Sequence, residues 1–137
     1  MKTLKVRMEE SQRSASAVAQ WLSDQKNVTG VLYPGLHSHP GFDVHQRQAS
    51  GPGAVISFTL SSVELTKKVL EGMKLAAFAV SLGGVESIIS YPAGMAYASM
   101  SPAERESRGI SDKLVRLSVG LEDVGDLIGE LDLIINE

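Results

Sequence analysis

The sequence contains no cysteine. That removes a disulfide framework, a thiolate metal site and a cysteine nucleophile together, and it fits a reducing compartment. No apolar run approaches the roughly 18 residues that a membrane-spanning helix requires. The opening MKTLKVRMEESQ turns charged too early to serve as a secretory signal. A basic excess is also missing. The chain has 13 Lys and Arg against 16 Asp and Glu, for a net charge of −3, and apart from Lys67-Lys68 the basic residues are scattered. There is thus no electrostatic footprint for nucleic acid. No internal repeat, phosphate-loop pattern, G-x-G-x-x-G or G-x-S-x-G is present. These absences lead us to expect a soluble, cytoplasmic protein with neither a membrane nor a nucleic-acid partner.

What is present fits one domain spanning residues 1–137. Apolar residues make up 43% and charged residues 21%, ordinary for a globular chain of a size that supports its own core. Leu4, Met8, Ser11, Ala15, Val18 and Leu22 recur at spacings of four and three, which predicts a helix over 4–23. Val31-Leu32-Tyr33 reads as a short strand ended by Pro34-Gly35, and FDVHQRQA as a short helix. After the SGPG turn, AVISFTL at 54–60 reads as a strand with Ile56, Phe58 and Leu60 on one face. Ser61 and Glu64 form a capping box, predicting a helix to about Lys74 with Leu65, Val69 and Met73 inward. AAFAVSLGG at 76–84 and VESIIS at 85–90 read as two further strands. Ser101-Pro102-Ala103-Glu104 is a second capping box, opening a helix that ends at Gly109. A strand over 113–119 follows. The last helix starts near Asp123, with Val124, Leu127, Ile128, Leu131, Ile134 and Ile135 on one face. The order implies a mixed α/β layer: one small sheet with helices packed on it.

Few residues stand out as chemistry. His37, His39, Asp43 and His45 lie close together, but the Pro and Gly around them indicate loop and no second cluster closes a coordination shell. Loop-packing histidines are the better reading, and no metal site is expected. The glycines of SGPG and SLGG read as turns, or as places where backbone approaches a ligand closely. Lys67-Lys68 reads as a solvated helix face, and Trp21 as packing at the edge of the first helix. Arg116 is different. In KLVRLSVGLED, Val115, Leu117 and Val119 share one face, while Arg116 lies between Leu114 and Ser118 on the other. Strand arginines usually face solvent. A guanidinium fixed on a strand is also a preorganised fork that matches a carboxylate in bidentate fashion. Physical reasoning alone leaves both readings open.

Long, collinear stretches carry a resemblance over nearly the whole chain. LKVRMEE, VLYPGLHSHPG, AVSLGGVESIISYPAGM and SPAERESRGISDKLVRLSVGLEDVGDLI resemble, in that order, the C-terminal domain of the Cys/Met-metabolism family of pyridoxal-phosphate (PLP) enzymes. These are the cystathionine γ-synthases, cystathionine β- and γ-lyases and methionine γ-lyases.

The resemblance implies an α+β fold: a small, mostly antiparallel sheet with helices on one side, like the small C-terminal domain of fold-type I PLP enzymes. It implies a large cofactor-binding domain as partner, in the same gene or on a separate chain, and a homo-oligomer. It gives Arg116 the role of binding the α-carboxylate of a small amino-acid substrate, helped by Ser81 of SLGG. The residue before that serine varies with reaction type in the family, and Val80 leans towards a lyase acting on an apolar sulfur side chain. MAYAS replaces the family's MTHAS, so Ala96 and Tyr97 stand for a threonine and a histidine.

The Schiff-base lysine of such enzymes lies in the large domain, in an S-x-x-K-type segment. None of the seven lysines here, at 2, 5, 26, 67, 68, 74 and 113, sits in one. The chain alone is therefore expected to bind no PLP and to supply no catalytic residue. It would be part of a PLP-dependent lyase or transferase of sulfur amino-acid metabolism, as a fragment or a split-gene subunit. The alternative is a stand-alone interaction or regulatory domain that retains the fold.

Overall fold

Val115 and Leu117 alternate with Arg116, and that two-residue period makes residues 114–118 the middle of the structure. The computed structural model describes residues 2–137. Its strands are β1 (Val28–Leu32), β2 (Val55–Leu60), β3 (Ala76–Phe78), β4 (Ser87–Ser90) and β5 (Leu114–Ser118). They form one sheet in the order β1-β2-β5-β4-β3, antiparallel except where β3 runs parallel to β4. The helices are α1 (Leu4–Ser23), α2 (Phe42–Gln48), α3 (Val63–Gly72), α4 (Pro102–Ser107) and α5 (Val124–Asn136). This is the α+β architecture expected, mostly antiparallel. No helix among the described residues is long and apolar enough to cross a membrane.

The core lies on one side of the sheet. Ile56, Phe58 and Leu60 of β2 and Val115 and Leu117 of β5 point the same way. There they meet Val18 and Leu22 of α1, Val69 and Leu70 of α3, and Leu127, Leu131 and Ile135 of α5. Burying side chains of this size stabilises by about 1.5–3 kcal/mol each. Polar groups close the seams. Tyr33 is fully buried, and its hydroxyl donates to the Gly53 carbonyl at 2.8 Å while lying 3.0 Å from Ser16 Oγ. The Glu130 carboxylate accepts the Lys74 and Leu75 amides at 2.8 and 3.0 Å, which closes the end of α3 and leads the chain into β3.

Several local expectations shift. α3 is capped by Ser62, whose hydroxyl accepts the Leu65 amide at 3.1 Å. The cap at Ser61 is therefore displaced by one residue, and the helix stops at Gly72, short of Lys74. α4 keeps its Ser101 cap and leading proline but ends at Ser107, with the turn completed by Gly109 at φ 74°. β1 begins three residues before Val31 and excludes Tyr33. The largest difference falls on 76–90. Of the two long strands expected, only Ala76–Phe78 and Ser87–Ser90 pair in the sheet. Ala79 still donates its amide to the Ile89 carbonyl at 3.1 Å; beyond it the chain leaves the sheet, and Val80, Ser81 and Gly83 bond to side chains of β5 instead.

The entry into β4 is tied firmly. The Glu122 carboxylate accepts both the Ser87 amide at 2.6 Å and the Ser87 hydroxyl at 2.7 Å, and Ser87 Oγ accepts the Gly120 amide at 2.9 Å. Gly120 is where two backbones touch. A Cβ there would stand 2.6 Å from the Ser87 nitrogen and closer still to the Val85 oxygen. Gly129, by contrast, faces open space on an exposed part of α5. Gly120→Ala is therefore expected to destabilise by about 3 kcal/mol, and Gly129→Ala to stabilise by about 1 kcal/mol. Urea unfolding of the two variants checks the opposite signs.

Candidate functional site

The face of the sheet away from α1, α3 and α5 carries a polar row. Arg116 of β5 pairs in register with Ser57 of β2 on one side and Ser90 of β4 on the other. All three therefore point the same way, two hydroxyls flanking one guanidinium. They floor a cavity of about 240 Å³. Its walls are apolar and come from two segments: Val80, and the stretch containing Pro92, Met95, Ala96, Tyr97 and Ile110.

Arg116 is half-buried. Its Nη2 donates to the Val80 carbonyl at 3.2 Å and the Ser81 carbonyl at 3.1 Å. Its Nε is shielded from solvent and has no acceptor. No carboxylate pairs with it among the described residues. The guanidinium thus spends one nitrogen on neutral backbone dipoles and keeps its charge unneutralised. A buried guanidinium N–H without an acceptor is costly, and an incoming carboxylate relieves it with charge-assisted hydrogen bonds. The three residues singled out from the sequence, Arg116, Ser81 and Val80, come together here through the Val80 and Ser81 main chain. The Val80 side chain lines the cavity, while the Ser81 side chain is exposed beside it.

The loop 79–86 has a second anchor on β5. Ser118 Oγ accepts the Gly83 amide at 2.9 Å. Gly83 has φ 76°, a conformation that glycine adopts without strain. Arg116 and Ser118, two apart on one strand, face the same way and hold the loop at two points.

The opposite wall is built by a half-buried ion pair. Arg105, with only 13% of its side chain exposed, places Nη2 at 2.8 Å from Asp112 Oδ1 and Nη1 at 2.9 Å from the Met100 carbonyl. Tyr91 donates its hydroxyl to the Asp112 carbonyl at 3.3 Å. Burial, and secondarily the charge of Asp112, push the Tyr91 phenol up from its ordinary pKa, so it stays a donor. These contacts fold the excursion between β4 and β5 back over the sheet and carry Met95 and Tyr97 to the cavity.

Sequence reasoning did not single out Ser57, Ser90, Met95 or Arg105. The outward alternation of Ser57 on β2 was a usable signal. Cross-strand register, which joins Ser57 and Ser90 to Arg116, was not visible. The histidine cluster resolves into separate local contacts. His39 Nδ1 accepts the Gly41 amide, His45 Nε2 lies 3.0 Å from the Gly51 carbonyl, and His37 packs on Phe42 with ring centroids 4.2 Å apart.

This fold and site define a class. The chain belongs to the family of Cys/Met metabolism PLP-dependent enzymes, which it matches over residues 1–135. Among individual relatives, it is 48% identical over 137 residues to the cystathionine beta-lyase MetC of Bacillus subtilis, covering all of this chain and 35% of that protein. It is 47% identical to the cystathionine gamma-lyase of Bos taurus, over 96% of this chain and 33% of that one. It is 44% identical to an L-methionine gamma-lyase of Fusobacterium nucleatum, over 96% and 34%. A Campylobacter jejuni protein assigned as an O-acetylhomoserine (thiol)-lyase, whose structure contains N'-pyridoxyl-lysine-5'-monophosphate, superposes with a TM-score of 0.93. The two are 30% identical over 98% of this chain and 32% of that one. The chain spans about a third of the length of the curated relatives it matches.

PLP is held covalently through a lysine amine. None of the seven lysines lines the cavity, whose one cation is Arg116. The residues present do not fit a covalently held PLP; they fit a carboxylate with an apolar remainder.

Replacing Ser118 with alanine removes the acceptor for the Gly83 amide. A loss of about 1 kcal/mol confined to the loop is expected, read as roughly fivefold faster hydrogen exchange at Gly83 with the α1 and α5 amides unchanged.

Proposed function

We propose that this chain is the substrate-carboxylate-binding, C-terminal domain of a PLP-dependent lyase or transferase of sulfur amino-acid metabolism, and that it is not catalytic alone. The observation that carries this reading is the state of Arg116. An unneutralised guanidinium with a buried, acceptor-free Nε sits between two hydroxyls on the floor of a cavity with apolar walls.

Arg116 takes the α-carboxylate of a small amino-acid substrate, and the Ser81 segment, already bonded to the same guanidinium, helps to hold it. A fork on the central strand of a sheet fixes that carboxylate in position, and fixed orientation of the reacting bonds is where such a site gains rate. Val80, Met95 and Tyr97 face the remainder of the substrate. That matches an apolar, sulfur-bearing side chain of the cystathionine, methionine or homocysteine type. The cofactor and its lysine belong to a large partner domain, joined in the same protein or supplied as a separate chain, and the working enzyme is a homo-oligomer. Holding the Val80 and Ser81 carbonyls occupies only Nη2 of Arg116, and the Nε left without an acceptor favours this reading over a stand-alone interaction domain, in which the arginine is structural or binds some other anion.

Two measurements test it. Arg116→Ala, assayed in combination with a cofactor-binding portion of the family, should weaken substrate affinity by about thirtyfold or more, with KM as the readout. Unchanged lyase kinetics would argue for the stand-alone role. The chain alone, mixed with PLP and treated with borohydride, should retain no stoichiometric pyridoxyl group. One pyridoxyl-lysine per chain at a single position would overturn the reading.

A further inference from the structure

A second groove lies at the end of the sheet where α1 begins. Leu4, Arg7 and Met8 of α1 face Leu82, Gly83 and Gly84 across a space of about 310 Å³. Leu4, Met8 and Leu82 are 39%, 39% and 53% exposed, so apolar surface on both banks lies open. Clustered apolar exposure of this kind marks an interaction site.

Arg7 supplies the polar element. It is half-buried, its Nε is shielded from solvent with no acceptor, and it makes no ion pair among the described residues. The acids on neighbouring turns are already engaged, Glu9 with Lys5 and Glu10 with Arg13. Nothing in the helix satisfies the Arg7 Nε, and a strong complement of a buried guanidinium N–H is a carboxylate oxygen. Space for an incoming chain exists on the rim. At Gly53 and Gly83 no atom lies within 4 Å of where a Cβ would stand.

We propose that this groove seats the remaining two-thirds of the family enzyme, with an Asp or Glu carboxylate on Arg7 and an apolar side chain between Met8 and Leu82. The inference rests on the reading of this chain as one domain of such an enzyme. Three observations select that occupant. The chain spans only 35% of its Bacillus subtilis relative, so two-thirds of a family member remain to be packed. The charge demanded is negative. The groove also shares its wall with the carboxylate cavity: residues 80–84 present Val80 to one and Leu82 to Gly84 to the other. Arg116 and Ser118 hold that same segment. Docking at Arg7 therefore braces the loop that completes the carboxylate site.

The test uses the complementary two-thirds of the Bacillus subtilis cystathionine beta-lyase, made as a separate chain and titrated calorimetrically with the 137-residue chain. The wild-type chain is expected to bind, and the Arg7 Nε resonance to shift on binding. Arg7→Met should weaken binding by about thirtyfold or more, and Leu82→Ser by about tenfold. Leu133→Ser, at an apolar position on α5 outside the groove that is 60% exposed, should leave it unchanged. If Arg7→Met fails to fold, Arg7→Lys keeps the charge but loses the Nε donor and serves the same comparison. Unaltered affinity in the Arg7 and Leu82 variants would overturn the groove and leave the domain reading standing. No binding by the wild-type chain to a large portion that circular dichroism shows folded would overturn both.

Discussion

Everything in this protein hangs on the alternation of side chains along β5. The strand is hydrogen-bonded on both sides, to β2 and to β4, so its backbone polar groups are satisfied and its position is fixed. Val115 and Leu117 then enter the core under α1, α3 and α5, while Arg116 and Ser118 emerge on the other face. A one-residue slip would exchange the two sets. Core and site therefore share one register, and the core's preference for valine and leucine is what keeps the arginine aimed at the cavity.

Hydroxyls and carboxylates do the finer positioning. Glu122 fixes the start of β4 through Ser87, and Ser87 fixes Gly120, so the segment leaving β5 and the segment entering β4 are clasped together. Arg105 and Asp112 do the same for the far wall. Glu122 and Ser87 act on main chain more than thirty residues away, whereas Arg105 closes a local loop between Met100 and Asp112. The result is a cavity whose floor is polar and rigid and whose walls are apolar. That division suits a ligand with one charged end.

The long periodic elements were legible in the sequence. α1 and α5 are set by side chains recurring every three or four residues, and α4 by a serine cap followed by proline. β2 and β5 showed their two-residue period. Residues 76–90 misled because AAFAV and VESIIS, on either side of the SLGG glycines, are both strand-like in composition. What holds Val80, Ser81 and Gly83 off the sheet is the Arg116 guanidinium and the Ser118 hydroxyl, both over thirty residues away, and no local pattern carries that information. Arg116 itself was visible as an oddity of alternation, and only the family resemblance gave it a task. Its flanking serines are brought beside it by strand register, which a single sequence does not reveal. Arg7 escaped notice because an arginine on an amphipathic helix looks ordinary until its surroundings prove to be apolar.

The parallel pairing of β3 with β4 has a mechanical consequence. Parallel neighbours usually need a crossover of a dozen or more residues, yet only residues 79–86 separate these two. The short return is folded rather than stretched: residues 79, 80 and 83–86 lie in bends, and Gly83 takes φ 76° among them. Strands fix both of its ends, and Arg116 and Ser118 tie its middle to β5. The segment beside Arg116 is thus a tether whose reach is bounded by its own few residues. The wall bearing Met95 and Tyr97 belongs to the longer excursion between β4 and β5 and has no such short leash.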